Sequence, residues 1–263
     1  GKIYPINPKA DKILGLKSYK SVKDVPGDVD LAIICVPAPI VIEVAEECGE
    51  KGVKFLIVIS AGFKEAGREG AEREKKLLEI CRKYGIRLQG PNCLGLIDTH
   101  TPLNASFSAG TPKKGNITFI SQSGALCTAV LDWSKERGIG FSKFISLGNK
   151  ADLDEIDFLE EAKHDKNTKV ILLYLESVEK GLKFVKTLRE VSKVKPVIIL
   201  KGGTTEAGAR AATSHTGAII GNVIAYETAF KHARAIIAEN IGQLFDYAIA
   251  FSTQPVLKQN KIA

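Results

Sequence analysis

Residues 204–218, which read TTEAGARAATSHTGA, carry a single histidine among mostly small side chains. Near pH 7 a neutral imidazole nitrogen is a competent nucleophile, and phosphoryl transfer to it depends mainly on positioning. The small residues on both sides of His215, including Gly217, leave the backbone open to an approaching phosphoryl group. His215 is therefore a candidate phosphate carrier. The competing interpretation is an ordinary surface loop with a solvated histidine.

A carboxylate at the end of a predicted strand could orient this histidine. Glu176 directly follows the apolar run Val170–Leu175, and open α/β sheets bind ligands at the carboxyl edge of their strands. A carboxylate there would accept a hydrogen bond from one ring nitrogen of His215, leave the other nitrogen free to attack phosphate, and stabilise the imidazolium. The alternative is a solvated glutamate, since the sequence does not establish contact with His215.

A candidate anion site lies at residues 121–126, which read SQSGAL between an apolar strand and a predicted helix. The first N–H groups of a helix have no partner within the helix, and its dipole is positive there. The alternative is ordinary N-capping by a serine. The phosphate-binding candidates are Ser121, Gln122, Ser123, Gly124 and, in the histidine segment, Gly217.

Two strand ends in the first half of the chain carry prolines and small residues. They read CVPAP at residues 35–39 and ISAGF at residues 59–63. Open backbone at such an edge would admit an adenine nucleotide, and Lys2 could neutralise a phosphate as a point charge. Turn chemistry without a ligand is the alternative. Cys93, in the run GPNCLG, has no base nearby in the sequence, so we interpret it as a small buried thiol in a turn.

Strand-length apolar runs alternate with amphipathic helical stretches, which predicts an α/β fold with parallel sheets covered by helices. In the first half we expect strands at residues 3–6, 30–36, 53–59 and 87–89, with helices at 39–51 and 67–84. In the second half we expect strands at 116–121, 141–147, 170–176 and 196–201, and helices at 223–232 and 241–251. The first set indicates a Rossmann-like domain, and the second is similar to a flavodoxin-like domain.

Residues 99–115 have the composition of turns, so we place a domain boundary there. The expected domains span residues 1–100 and 115–253, with residues 254–263 as a linker toward a further domain. The chain opens almost directly on a predicted strand and has no methionine. We therefore expect a fragment that lacks an N-terminal strand.

The composition of the 263 residues is that of a globular protein, with a net charge of +7. No apolar run is long enough to span a bilayer, and the N-terminus lacks the hydrophobic core of a signal peptide, so we expect a cytoplasmic protein with no membrane partner. Lysines are mixed with glutamates and no basic run carries aromatics, which favours a small polyanion over nucleic acid. The five cysteines lack metal-ligand spacing and are expected to be buried thiols, with no metal site.

Six motifs together resemble the α-subunit of nucleoside-diphosphate-forming acyl-CoA synthetases. In chain order they are VPAP (36–39), ISAGF (59–63), GPNCLG (90–95), SQSGAL (121–126), YLES (174–177) and SHTGA (214–218). Within that superfamily the chain is more similar to the archaeal-type ADP-forming acetate–CoA ligases than to succinyl-CoA synthetase. The succinate enzymes usually have arginine in place of Gln122 and tyrosine in place of Thr128.

The resemblance implies conversion of acetyl-CoA or a similar acyl-CoA, ADP and phosphate to a small carboxylic acid, ATP and CoA, through an acyl phosphate and a phosphohistidine. It implies that His215 is phosphorylated, that Glu176 orients it, and that residues 121–124 hold the phosphoryl group. ADP, ATP and Mg²⁺ would bind an ATP-grasp β-subunit or fused domain in a hetero- or homo-oligomer. The positions that match the family's CoA contacts are Lys2, Val36, Pro37, Ile59, Ser60 and Ala61.

Two alternatives remain open. One is a succinyl-CoA synthetase α-subunit, which Gln122 and Thr128 disfavour. The other is a non-catalytic CoA-binding regulatory module. Relatives of that kind typically lose the histidine, so the presence of His215 counts against it.

Overall fold

The computed structural model describes residues 1–203 and 223–255. The chain divides into two compact units, of which the first comprises Gly1–Cys93 and Asn149–Leu153 and the second comprises Leu94–Gly148 and Asp154–Ala263. Both units have α/β architecture, which confirms the predicted fold class. The predicted phosphate carrier His215, together with Gly217, lies outside the described residues.

The first unit begins with a small hairpin of β1 (Lys12–Ile13) and β2 (Leu16–Lys17). Its main sheet consists of three parallel strands in the described residues, in the order β3 (Leu31–Ile34), β4 (Phe55–Val58) and β5 (Arg87–Gln89). A helix follows each of the first two strands, α1 (Ala38–Lys51) after β3 and α2 (Arg68–Tyr84) after β4. This is the βαβ pattern that the apolar runs predicted.

Helices α1 and α2 pack closely against each other. Gly49 allows this contact, because a Cβ atom there would lie 2.2 Å from Cδ2 of Tyr84. Val41 and Ala45 of α1 and Leu77 of α2 are fully buried in the same core as β4 and β5. The apolar faces of both helices therefore stabilise the sheet whose carboxyl edge was predicted to bind CoA.

The predicted strand at residues 3–6 is wrong. The structure shows only an isolated bridge between Ile6 and Tyr19. Pro5 lacks an N–H group and cannot donate to a ladder, and Ile3 is exposed instead of packing in the core.

The second unit contains a sheet of seven strands among the described residues, in the order β12-β11-β10-β8-β9-β6-β7. Five of them form a parallel run, and β6 and β7 are antiparallel to their neighbours. In chain order the strands are β6 (Gly95–Asp98), β7 (Leu103–Ser106), β8 (Lys113–Ser121), β9 (Gly140–Ser146), β10 (Val170–Leu175), β11 (Val197–Lys201) and β12 (Ile236–Ala238).

Five helices of the described residues cover both faces of this sheet. Helices α3 (Gly124–Arg137) and α7 (Ile241–Thr253) pack on one face, and α4 (Glu155–His164), α5 (Gly181–Ser192) and α6 (Val223–His232) pack on the other. Neighbouring residues of β8 lie in the cores on opposite faces of the sheet. Phe119 packs in the core with α3 and α7, and Ile120 packs in the core with α4, α5 and α6. Burial on both faces explains why these strands read as continuous apolar runs.

The antiparallel strands β6 and β7 were not predicted. Strand β7 lies inside the segment 99–115, which the sequence indicated as turn-rich. Its four residues, LNAS, include only one fully buried side chain, Ala105, so the apolar pattern is too weak to reveal a strand. The second sheet is therefore mixed, whereas the prediction specified parallel strands.

Four of the five cysteines are buried as predicted, but Cys35 is exposed. It directly follows β3, which is an edge strand among the described residues. Burial raises the pKa of Cys48, Cys81 and Cys127 to about 12. Cys93 is also buried, beside the carbonyl oxygen of Val58, in agreement with its interpretation as a packed thiol. No helix in residues 1–203 and 223–255 has the length and apolar character needed to cross a membrane.

Candidate functional site

The carboxyl edge of the second sheet brings together the ends of β8, β10 and β11. These strands are parallel and adjacent, with Tyr174 paired to Ser121 and Leu175 paired to Lys201. The residues that follow them, Gln122, Glu176 and Gly202, are therefore neighbours at one edge. This is where an open α/β sheet binds ligands.

The loop after β8 leads directly into helix α3. The Ser123 hydroxyl caps the helix by accepting a hydrogen bond from the Leu126 N–H at 3.2 Å. In the described part of the chain, no hydrogen-bond partner is found for the N–H groups of Gly124 and Ala125, and a Cβ atom at Gly124 would meet no atom within 4 Å. The open helix N-terminus can therefore accept an anion at Gly124 and Ala125.

The side chain of Ser121, at the end of β8, forms hydrogen bonds with the backbone of this loop. Its hydroxyl donates to the Ser123 carbonyl oxygen and accepts the Ser123 N–H, both at 3.1 Å, and the residue has no exposed surface. Ser121, a predicted phosphate-binding residue, thus has its hydroxyl engaged with the backbone of the loop. These two hydrogen bonds hold the backbone of Ser123 next to the end of β8.

Gln122 holds the backbone that follows β10. Its side-chain oxygen accepts the N–H groups of Glu176 at 2.7 Å and Ser177 at 2.9 Å. Its side-chain nitrogen donates to the Ser177 carbonyl oxygen at 2.7 Å and to Oε2 of Glu155 at 3.4 Å. Its own N–H donates to the carbonyl oxygen of Tyr174 at 3.2 Å. Both polar ends of the Gln122 side chain, a predicted phosphate-binding residue, are thus engaged with protein groups.

Glu176 is half-buried, and both polar groups of its backbone are held by side chains. Gln122 accepts its N–H, and Nζ of Lys201 donates to its carbonyl oxygen at 2.9 Å. No hydrogen-bond donor of the described residues reaches its carboxylate. Its Cγ would lie 3.5 Å from a Cβ atom at Gly202, the position after β11. The carboxylate is therefore available at the edge where β10 and β11 end.

Lys201 is a residue of this site that the sequence analysis did not single out. It is only 8% exposed and lies at the end of β11, with Nζ 4.9 Å from the centre of the Tyr226 ring. Burial lowers its pKa, and the nearby Glu176 carboxylate opposes that change. A lysine that ends the apolar strand VIILK at the ligand edge was the available signal.

The candidate CoA residues of the first unit lie after β3 and β4. The Ser60 hydroxyl donates to the Val36 carbonyl oxygen at 2.5 Å, which joins the two loops. Pro37 and Ala61 are exposed, and Ile59 is half-buried beside them in the chain. Lys2 is exposed. The Ser60–Val36 hydrogen bond thus joins the two loops that carry Val36, Pro37, Ile59, Ser60 and Ala61.

A buried polar cluster supports the ISAGF turn. Glu65 accepts the N–H groups of Gly62 and Phe63 at 2.6 and 3.1 Å. The Asn149 side-chain nitrogen donates to Glu65 at 2.6 Å and to Glu74 at 2.8 Å. Burial opposes ionisation of Glu65, but these hydrogen bonds hold its pKa below the usual value. For Glu74, burial dominates and raises the pKa.

Within the described residues, no group of histidine, cysteine, aspartate and glutamate side chains could hold a metal ion. The chemistry available at the two edges is therefore an anion site at a helix start, a nearby carboxylate with a buried lysine, and an open backbone edge in the first unit.

Two known protein families match different parts of this chain. Residues 114–251 match the succinyl-CoA ligase like flavodoxin domain, and residues 1–99 match a CoA binding domain. The chain belongs to the succinyl-CoA ligase family. The family membership confirms the resemblance that the six motifs indicated and the predicted pair of domain types.

Relatives within the succinyl-CoA ligase family include two acetate–CoA ligases. The chain is 52% identical to acetate–CoA ligase [ADP-forming] I of Archaeoglobus fulgidus, over 95% of this chain and 36% of the relative. It is 49% identical to the α-subunit of acetate–CoA ligase [ADP-forming] II of Pyrococcus furiosus, over 100% of this chain and 57% of the relative. The chain thus spans between about a third and three fifths of the length of these relatives.

A solved structure with the same fold is the dinucleotide forming acetyl-coenzyme A synthetase 1 of Ca. Korarchaeum cryptofilum in complex with phosphate and ADP. The TM-score is 0.94 at 45% sequence identity, and the match covers 98% of this chain and 56% of that chain.

Proposed function

We propose that this chain forms the CoA-binding and phosphohistidine part of an ADP-forming acyl-CoA synthetase. In this proposal the whole enzyme converts acetyl-CoA or a similar acyl-CoA, ADP and phosphate to a carboxylic acid, ATP and CoA. The observation that carries the proposal is the grouping of Glu176 and the open N-terminus of α3 at one sheet edge, in a chain 49–52% identical to ADP-forming acetate–CoA ligases.

The second unit would perform the phosphoryl transfer. Phosphate attacks the acyl carbon and displaces the thiolate of CoA, which gives an acyl phosphate. A ring nitrogen of His215 then attacks the phosphorus, and the carboxylate of the acid leaves. The N–H groups of Gly124 and Ala125, with the Ser123 cap, would stabilise the negative charge on the phosphoryl oxygens. Glu176 would accept a hydrogen bond from the proton-bearing ring nitrogen and stabilise the imidazolium as it forms.

Ser121 and Gln122 would act indirectly in this scheme. The buried Ser121 hydroxyl fixes the loop that presents Ser123 and Gly124, and Gln122 fixes the backbone of Glu176. Gly217 would leave room for the phosphoryl group beside His215. These assignments are supported by the hydrogen bonds of the loop and by the small residues of the histidine segment.

The first unit would bind CoA at the edge formed by Val36, Pro37, Ile59, Ser60 and Ala61. Its match to a CoA binding domain and its open carboxyl edge support this assignment. Lys2 would contribute a charge to a CoA phosphate. We assign CoA binding to residues 1–100 and the ligase chemistry to residues 115–253.

The nucleotide would bind elsewhere in the whole enzyme. We propose that an ATP-grasp subunit or fused domain holds ADP and Mg²⁺ and exchanges the phosphoryl group with His215 in a hetero- or homo-oligomer. The naming of one relative as an α-subunit and the partial coverage of both relatives support a partner segment. The five cysteines are thiols and not disulfides, which supports a reducing, cytoplasmic setting.

Phosphoamino-acid mapping by mass spectrometry tests the carrier role. The full-length enzyme, with its nucleotide-binding partner, is incubated with acetyl-CoA and phosphate beside a His215→Ala variant. We expect acid-labile phosphate on His215 of the wild type and no phosphate at this position in the variant.

An unphosphorylated wild-type chain in the presence of the partner would contradict the proposal. If such a chain still bound CoA, a CoA-binding regulatory module would be the better account. Parallel assays with acetate, larger monocarboxylates and succinate separate the acetate-type enzyme from a succinyl-CoA synthetase.

A further inference from the structure

Two side chains from neighbouring strand ends hold the peptide groups of Glu176. On one side, Oε1 of Gln122 accepts the Glu176 N–H at 2.7 Å. On the other side, Nζ of Lys201 donates to the Glu176 carbonyl oxygen at 2.9 Å and to the Gly202 carbonyl oxygen at 2.5 Å. The Gly202 N–H donates in turn to the carbonyl oxygen of Leu175 at 2.8 Å. The ends of β10 and β11 are therefore tied together around Glu176.

The environment of Lys201 favours this position for its ammonium group. The side chain is buried, its Nζ lies over the Tyr226 ring, and two carbonyl oxygens accept its protons. The Tyr174 hydroxyl lies close to Gly202, where a Cβ atom would be 2.6 Å from its oxygen. The hydrogen bonds from the ammonium group to these carbonyl oxygens are charge-assisted and therefore stronger than neutral ones.

We propose that Lys201, together with Gln122, is a positioning residue that holds Glu176 in the orientation needed to align the phosphate-carrying histidine. This inference rests on the proposed function of Glu176. Lys201 does not touch the reacting atoms in this scheme; it acts through the backbone of Glu176. A displacement of about 1 Å in a catalytic group can lower a rate about 100-fold, so a residue of this kind can control the reaction strongly.

The chain offers a matched control at the opposite edge of the same sheet. Lys195 precedes β11, and its Nζ donates to the carbonyl oxygens of Ala162 at 2.6 Å and Asp165 at 2.5 Å. Burial lowers the pKa of this lysine as it does that of Lys201. Lys195→Met thus removes the same kind of contact far from Glu176.

The test measures the rate of acyl-CoA-dependent phosphorylation of His215 in the full-length enzyme with its partner. We expect Lys201→Met to slow this step about 10- to 100-fold with an unchanged KM for acyl-CoA. Lys201→Arg, which can also donate to two carbonyl oxygens, is expected to restore most of the rate. Lys195→Met is expected to retain the wild-type rate.

A double-mutant cycle separates positioning from general structural damage. In a Glu176→Gln background, Lys201→Met should cause no further slowing, because the carboxylate on which it acts is gone. An equal slowing in both backgrounds, or a wild-type rate for Lys201→Met, overturns the proposal. If Lys201→Met does not fold, Gln122→Leu removes the other contact and is expected to show the same dependence on Glu176. Wild-type enzyme without phosphate on His215 instead refutes the proposed function.

Discussion

Lys143 in β9 illustrates how single residues place a charge inside the second unit. Its side chain is largely buried, and its Nζ lies 2.5 Å from Asp165, 3.3 Å from Glu161 and 3.8 Å from Asp98. Burial opposes the ionisation of Asp165, but the hydrogen bonds from Lys143 and Thr168 outweigh it and hold the Asp165 pKa at about 2. The charged pair therefore ties the chain after α4 to the sheet.

From the Lys143–Asp165 pair we predict that the protein loses stability in acid. Because the folded-state pKa of Asp165 lies below its unfolded value, its contribution is complete above about pH 4 and is lost as the pH falls toward 2. We expect Asp165→Asn to lower the free energy of unfolding by about 2 kcal/mol at neutral pH. The variant should also lose less stability than the wild type on acidification, measured by urea unfolding.

Glu161→Gln is the control for this prediction. Glu161 also faces Lys143 but is half-exposed. Its substitution should therefore lower the free energy of unfolding by less than about 1 kcal/mol. Equal effects of the two variants would contradict the role given to burial.

At the scale of elements, Asn149 connects the turn after β4 to helix α2. Its amide donates to both Glu65 and Glu74, and its N–H donates to the Pro91 carbonyl oxygen at 2.8 Å. Glu65 in turn holds the N–H groups of the ISAGF turn. The amide thus lets two carboxylates share one buried site and stabilises the turn proposed to contact CoA.

Asn149→Asp is predicted to be more harmful than Asn149→Ala at neutral pH. The aspartate would add a third carboxylate to the pair and remove the donor, and like charges in a buried site destabilise the fold. Since burial already raises the Glu74 pKa, the carboxyl groups of the variant should take up protons more readily when folded than when unfolded. The free energy of unfolding of Asn149→Asp should therefore increase as the pH is lowered from 7 to about 5, as measured by thermal unfolding. A difference between the two variants that does not change with pH would contradict this account.

The elements that the sequence predicted well are those with continuous apolar runs. Strand β5 was predicted with its observed bounds, and α1 and α6 were predicted within one residue. The failures concern short or proline-containing elements, such as β7 and the segment at residues 3–6, where few side chains are buried. Their structure depends on tertiary pairing, which hydrophobic periodicity does not encode.

The candidate site was predictable only in part, for a related reason. Sequence reasoning identified Glu176 and the helix start at Ser123 because strand ends and caps leave local signals. The roles of Gln122 and Lys201 depend on which strands are neighbours, β8 with β10 and β10 with β11. That order is a property of the folded sheet. The sequence alone therefore could not show that Gln122 and Lys201 hydrogen-bond the backbone of Glu176.

At the scale of the whole molecule, the two units carry different parts of the proposed chemistry. The loops joined by Ser60 and Val36 lie in the first unit, whereas the helix start at Gly124 and the carboxylate of Glu176 lie in the second. If this division is correct, substitutions in the first unit should alter CoA kinetics without altering the exchange of phosphate between His215 and the nucleotide.

Ser60→Ala tests this division in the full-length enzyme. The substitution removes the hydrogen bond from the Ser60 hydroxyl to the Val36 carbonyl oxygen, and a neutral hydrogen bond contributes about 1 kcal/mol, so we expect the KM for CoA to rise about 2- to 10-fold. Phosphorylation of His215 by ATP, which in the proposed scheme uses the partner's nucleotide site and no CoA, should keep its wild-type rate. Ser252→Ala removes a similar bond from a hydroxyl to the Ile249 carbonyl oxygen in α7 and should change neither quantity. An unchanged KM together with slower phosphorylation by ATP would show that the turn at Ser60 acts on the phosphoryl step and that the proposed division is wrong.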